Sequence, residues 1–178
     1  MNYPEKITHA ELVELGMKWL VKPYAACAEY GHSGCAVVIS ELVTSLIEQP
    51  DVLGFNGRKS ILIECKASRA DFNHDSDKIF RQCPQIGVGE QRWYMAPQGL
   101  IPHDRIPPKW GLLEVLPGRQ VLVTKKAEPQ QRDPLAEIVI LLSLFRRLDI
   151  PQDGHVAVRK YEIKSDKNRA AFYVDKEK

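Results

Sequence analysis

Asp51, Glu64, Cys65 and Lys66 flank an Asn56-Gly57 pair in the run Pro50-Asp51-Val-Leu-Gly-Phe-Asn56-Gly57-Arg-Lys-Ser-Ile-Leu-Ile-Glu64-Cys65-Lys66. Asn-Gly between two apolar runs predicts a hairpin, because a type I′ turn needs positive φ at both central residues. A turn at 56–57 sets Phe55 opposite Arg58, Leu53 opposite Ser60 and Asp51 opposite Leu62. Side chains alternate along a strand, so Asp51, Leu62, Glu64 and Lys66 share one face, while Ile61, Ile63 and Cys65 share the other, buried one. Glu64 is then the diagonal neighbour of Asp51, with Cα atoms roughly 7–8 Å apart. Two carboxylates so placed can hold a divalent cation between them, with the Cys65 carbonyl as a third ligand. Magnesium suits such a set, since it takes oxygen ligands and fills its remaining positions with water or phosphate. A one-residue slip would send Asp51 to the wrong face. The competing reading of the same residues is a surface hairpin whose Asp, Glu and Lys are solvated.

Hydrolysis of a phosphodiester needs an activated water, neutralisation of growing negative charge and a leaving group that can depart. Asp51 and Glu64 supply the carboxylates for a metal, and Lys66 can orient the water or stabilise charge at phosphorus.

The elements around the hairpin follow from spacing and punctuation. Thr8-His-Ala-Glu11 is a capping box, with Leu12, Leu15, Trp19 and Leu20 at helical spacing behind it and Pro23 ending the helix. Residues 24–34 read as a connection. The β-branched run Cys35–Thr44 reads as a first strand, and 51–55 with 59–66 as the hairpin. Phe72, Ile79, Phe80 and Cys83 predict one helix from about Ser68 or Arg69 to Pro84. Gln91–Ala96 is a fourth strand, and the four prolines in 97–109 mark an irregular loop. Residues 111–116 and 120–124 form a second hairpin. Asp133-Pro134 opens a last helix whose apolar residues cover more than half its circumference, predicting that it is largely buried. The result is an α/β sandwich with a mixed central sheet flanked by helices, a single domain over 1–150, and a polar extension over 151–178.

Composition bounds the rest. The chain has 178 residues, 44% hydrophobic and 27% charged, with a formal net charge of +2. That is ordinary for a soluble domain, and the charge is weak evidence for a polyanionic partner. No apolar stretch approaches the ~20 residues that span a bilayer, and the amino terminus lacks an apolar signal region. Four cysteines without a CxxC pair fit reduced thiols and a cytoplasmic location. Cys27, His32 and Cys35 lie close enough to begin a zinc site but lack a fourth ligand at a recognised spacing.

Pro50-Asp51, twelve intervening residues, then Glu64-Cys65-Lys66 resembles the PD-(D/E)XK nuclease superfamily, whose core is an αβββαβ sandwich. The following run Lys66-Ala-Ser68-Arg-Ala-Asp71-Phe72-Asn-His-Asp75 resembles the K-x-S-x-x-D-F-x-x-D segment of small bacterial and phage members tied to DNA repair. Those relatives continue D-x-K-W-x-x-Y, whereas this chain reads Asp75-Ser-Asp-Lys78-Ile-Phe80, its lysine one residue later.

The resemblance implies a restriction-endonuclease-like fold and a Mg²⁺- or Mn²⁺-dependent deoxyribonuclease acting on DNA in repair, recombination or phage nucleic-acid processing. It implies Asp51 and Glu64 as metal ligands and Lys66 as the catalytic lysine. Many members add an acid from an earlier element, and Glu41, in the first predicted strand, is the candidate. The alternative is a catalytically inactive nucleic-acid-binding or protein-interaction module on the same fold. Cutting both strands of a duplex with one active site per chain would favour a homodimer.

Outside this set, Asp71 and Asp75 share a helix face, and as placed near a helix N-terminus Asp71 suits the dipole. Arg69, Lys78, Arg81 and Arg92 suggest a phosphate-tracking patch. Trp93 and Trp110 read as core or loop packing.

Overall fold

A computed structural model describes residues 6–21, 34–46, 48–57, 59–75 and 77–148. Cys27, His32, the greater part of the 24–34 connection and the whole 151–178 extension lie outside the described residues. Helix α1 (His9–Val21) precedes β1 (Val37–Ser40), β2 (Val52–Asn56) and β3 (Lys59–Cys65). Then come α2 (Arg69–Asp75), the single turn α3 (Ile79–Gln82), β4 (Gln91–Pro97), β5 (Gly111–Val115), β6 (Val121–Lys125) and α4 (Pro134–Arg147). The strands form one mixed six-stranded sheet in chain order. The β1–β2, β2–β3 and β5–β6 pairs are antiparallel, and β3–β4 and β4–β5 are parallel.

The two faces carry different cores. On one, Leu12, Val13, Trp19 and Leu20 of α1 pack on Val52, Ile61, Ile63, Cys65, Trp93 and Met95. On the other, Leu53, Leu62, Tyr94 and Leu112 meet Phe72 of α2, Trp110 and Ala136 and Ile140 of α4. The capping box forms as its spacing requires: Glu11 Oε2 accepts from the Thr8 backbone N–H at 2.8 Å, and the Glu11 N–H donates to Thr8 Oγ1 at 3.2 Å.

Four sequence expectations change. The first hairpin pairs Asn56 with Lys59 and Leu53 with Leu62, so the turn falls one residue later, with Gly57 at φ 57°. This register sets Leu53 against Leu62 in the core and frees Ser60 to donate to Glu137 on α4. It is displaced by two from the expected one, so every side chain keeps its face. The first strand is only four residues long and ends at Ser40, because Glu41 adopts φ 48°. The single helix expected over 69–83 is broken into α2 and α3, with Lys78 extended at the entry to α3. Helix α4 buries only Ala136, Glu137 and Ile140, while Leu135, Ile138, Leu142 and Phe145 are exposed among the described residues. An apolar surface wider than the sheet can cover is left outward.

Candidate metal and phosphate site

Continuing the β2–β3 register one step beyond Val52↔Ile63 brings Asp51 directly opposite Glu64, closer than the diagonal the sequence suggested. The β1–β2 register does the same on the other side. The Glu41 N–H donates to the Asp51 carbonyl at 3.0 Å, so Glu41, Asp51 and Glu64 follow one another across the sheet. Glu41 lies past the strand rather than within it, and its side chain is 62% exposed. Nε2 of His9, at the start of α1, stands 3.8 Å from Glu41 Oε1 and 3.7 Å from Asp51 Oδ1.

Asp51 is fixed by its other oxygen, which accepts the Cys65 backbone N–H at 2.7 Å. Burial, and next the charge of Glu64, push the Asp51 carboxyl up to about 6. The Cys65 side chain turns to the α1 face, where burial pushes its thiol up, so only its backbone could serve a hard cation.

Glu64 and Lys66 are buried on the opposite face, as alternation requires. Lys66 Nζ lies 3.1 Å from Glu64 Oε2 and 3.0 Å from Asp75 Oδ1. Burial works against the Lys66 charge, but the carboxylates of Glu64 and Asp75 outweigh it and hold the ammonium above its ordinary range. Lys66 is therefore a fixed cation.

Asp75 is the hub of this network. It takes a forked pair of bonds from Arg81, Nε to Oδ2 at 2.6 Å and Nη2 to Oδ1 at 3.1 Å. Tyr94 donates its hydroxyl to Oδ2 at 2.6 Å. Burial raises the Asp75 pKa, yet Arg81 and Lys66 prevail and hold the carboxyl well below the usual range. The guanidinium of Arg81 also reaches Glu48 Oε1 at 3.1 Å and Glu64 Oε2 at 3.2 Å, and it lies 4.5 Å over the Trp110 ring. Glu48 is held in turn by the Val88 N–H at 2.6 Å.

The sequence reading missed four of these partners. Tyr94 was within reach of it, since parallel pairing sets Tyr94 beside Glu64. Arg81 and Glu48 were not, because one follows a broken helix and the other sits in an irregular segment. His9 meets Asp51 only through the packing of α1 against the sheet. Two of the four bases expected to form a basic patch are withdrawn from the surface. Arg81 is buried in the ion network, and Arg92 is fully buried, donating to the carbonyls of Gly89, Pro84 and Gln131. Asp71 is half-exposed, 4.0 Å from Lys66. Trp93 and Trp110 are core residues, as expected.

Among the described residues, no group of three or more His, Cys, Asp or Glu side chains is gathered closely enough to hold a metal ion alone. Two carboxylates are present, however, and Glu64 Oε1 is buried without a hydrogen-bond partner among those residues. A buried carboxylate oxygen left unpaired is costly, and a cation beside it would relieve that cost. The same cation would favour the charged form of Asp51. The donor set thus fits a hard divalent ion that draws its remaining ligands from water and phosphate.

No family model matches this chain, and no curated protein does. A solved structure, the SPO1766 protein of unknown function from Silicibacter pomeroyi, is similar to 60% of this chain and 70% of that one, at 23% identity and a TM-score of 0.46. No helix among the described residues is long and apolar enough to cross a membrane.

Proposed function

We propose that the protein is a metal-dependent nuclease that hydrolyses DNA phosphodiester bonds, serving repair, recombination or phage nucleic-acid processing. The observation that carries this reading is the buried, unpartnered Oε1 of Glu64, opposite Asp51 and beside the buried ammonium of Lys66. The order α1-β1-β2-β3-α2-α3-β4 supports it as well, since it follows the αβββαβ plan of the restriction-endonuclease-like proteins whose motif residues the sequence resembles.

Asp51 and Glu64 would hold Mg²⁺ or Mn²⁺, with the Cys65 carbonyl in reach as a backbone ligand. When bound, the metal lowers the pKa of a coordinated water and offsets charge on the scissile phosphate. Lys66 contributes a positive charge that stays protonated through neutral and mildly alkaline pH, suited to stabilising the extra charge on the phosphoryl oxygens. Asp75 and Tyr94 keep that ammonium in place. One water is consumed, one phosphorus–oxygen bond breaks, and the products are a phosphate monoester end and a hydroxyl end.

The test is incubation of the full chain with linear, circular and single-stranded DNA, with Mg²⁺ or Mn²⁺ and with EDTA. Metal-dependent cleavage that disappears in Asp51→Asn and falls by roughly 10²- to 10³-fold in Lys66→Met supports the reading, and the products distinguish endonucleolytic from exonucleolytic action. DNA retained on a gel without metal and without cleavage would replace it with a binding module on the same fold.

A further inference from the structure

Three cations converge on a single oxygen. Lys66 Nζ, Lys78 Nζ and Arg81 Nη2 lie 3.1, 3.2 and 3.2 Å from Glu64 Oε2. Asp75 gathers the same three, with Lys66 and Lys78 each 3.0 Å from Oδ1 and Arg81 at 2.6 Å from Oδ2. Glu48, through Arg81, supplies the third negative charge. Asp71, with Oδ1 4.0 Å from Lys66 Nζ, and Asp51, opposite Glu64, add two more, so the acids outnumber the bases while Glu64 Oε2 itself faces all three cations. A divalent ion beside Glu64 must share that carboxylate with them. Coulomb repulsion between the ion and those cations opposes binding there, and withdrawal of one cation relieves it.

Anchoring decides which cation can withdraw. Arg81 is 3% exposed, forked onto Asp75, bonded to Glu48 and stacked on Trp110. Lys66 is 4% exposed and enclosed by Glu64 and Asp75. Lys78 is 38% exposed, on extended backbone where the helix breaks before α3, with Glu64 and Asp75 as its ionic partners. A lysine stem of this kind can swing its head group without disturbing the core.

We propose that Lys78 is the exchangeable cation of the site: it screens Glu64 and Asp75 in the free protein and passes to a non-bridging oxygen of a DNA phosphate when the metal binds. This rests on the metal-dependent reading above. It gives Lys78 two effects of opposite sign. Its charge competes with the metal for Glu64, and it contributes a phosphate contact once DNA is present.

The experiment compares wild type, Lys78→Met and Asp51→Asn as full chains whose folding is checked by circular dichroism. Mn²⁺ binding is followed by electron paramagnetic resonance, and binding of a fluorescein-labelled oligonucleotide in Ca²⁺ by anisotropy at several salt concentrations. Lys78→Met is expected to bind Mn²⁺ more tightly, on the order of tenfold. It should also bind DNA more weakly, with a salt slope shallower by about 0.7–0.9 for one lost phosphate contact. Unchanged or weaker Mn²⁺ binding in Lys78→Met, with binding abolished in Asp51→Asn, would overturn the role of Lys78 and leave the metal reading standing. Tighter Mn²⁺ binding with an unchanged salt slope would overturn the transfer to phosphate. A wild-type chain that binds no Mn²⁺ would overturn both.

Discussion

Asp75 Oδ1 stands 3.0 Å from Lys66 Nζ, so the last residue of α2 holds the lysine that follows β3. The contact spans only nine positions of sequence but joins a helix to the sheet, and it makes α2 the support of the site.

Asp75→Asn should destabilise the chain by about 3–5 kcal/mol, the usual range for removing one member of a buried ion pair. Urea unfolding at pH 7 measures it. Because the folded pKa of Asp75 is depressed, its contribution is complete above the unfolded value near 4 and is lost as pH falls below that. Wild type should therefore lose stability steeply under pH 4, and Asp75→Asn should lack that component of the decline. Equal slopes in the two proteins would refute the assignment.

Asp51 behaves in the opposite sense. Its folded pKa of about 6 exceeds the ordinary 3.8, so the folded chain keeps a proton that the unfolded chain has released. Stability of the metal-free protein should fall as pH rises from about 4 to about 6, then level off. Asp51→Asn preserves an acceptor for the Cys65 N–H but removes the buried charge. It should raise stability at pH 7.5 by about 1–2 kcal/mol while abolishing cleavage. A thermal melt in EDTA that shows Asn to be the less stable variant would contradict this.

Lys66→Met should lower the cleavage rate by roughly 10²- to 10³-fold, the scale seen when one charge-stabilising donor is removed. The wild-type rate should rise with pH through about 6 as Asp51 ionises. It should show no fall between pH 7 and 9, since the carboxylates around Lys66 keep it protonated there. A fall in that window, absent from Lys66→Met, would mark Lys66 as a titrating group.

The Arg92 guanidinium donates to the Gly89 carbonyl at 3.0 Å, to Pro84 at 2.6 Å and to Gln131 at 3.0 Å. Arg92→Met would remove three hydrogen bonds made by one buried guanidinium, including that to the buried Gly89, and should cost about 2–4 kcal/mol in urea unfolding. A change under 1 kcal/mol would mean that the carbonyls find other donors.

Residues near one another in sequence carried most of what could be read in advance. The order of elements, the capping box of α1 and the shared face of Asp51, Glu64 and Lys66 follow from period-2 and period-3.6 patterns. What failed depended on tertiary competition. Leu53 pairs with Leu62 instead of Ser60, and alternation could not choose between the two, since a shift of two leaves every side chain on its face. Continuous helical spacing over 69–83 hid the break that turns Lys78 and Arg81 onto Glu64 and Asp75. Glu48 carries no local signal, since only the fold brings it to Arg81. The apolar girth of α4 overstated its burial, because periodicity counts apolar residues and not the surface available to cover them.

The ion pairing among Glu48, Glu64, Asp75, Lys66, Lys78 and Arg81 constrains how this protein can change over generations. Neutralising Arg81 alone takes the cation from Glu48 and one of three from Glu64 and Asp75, and losing Asp75 alone takes one carboxylate from both Lys66 and Arg81. Viable descendants would have to alter partners together, so these positions should covary as a block, whereas Lys78, at the margin, is free to migrate along the α2–α3 junction.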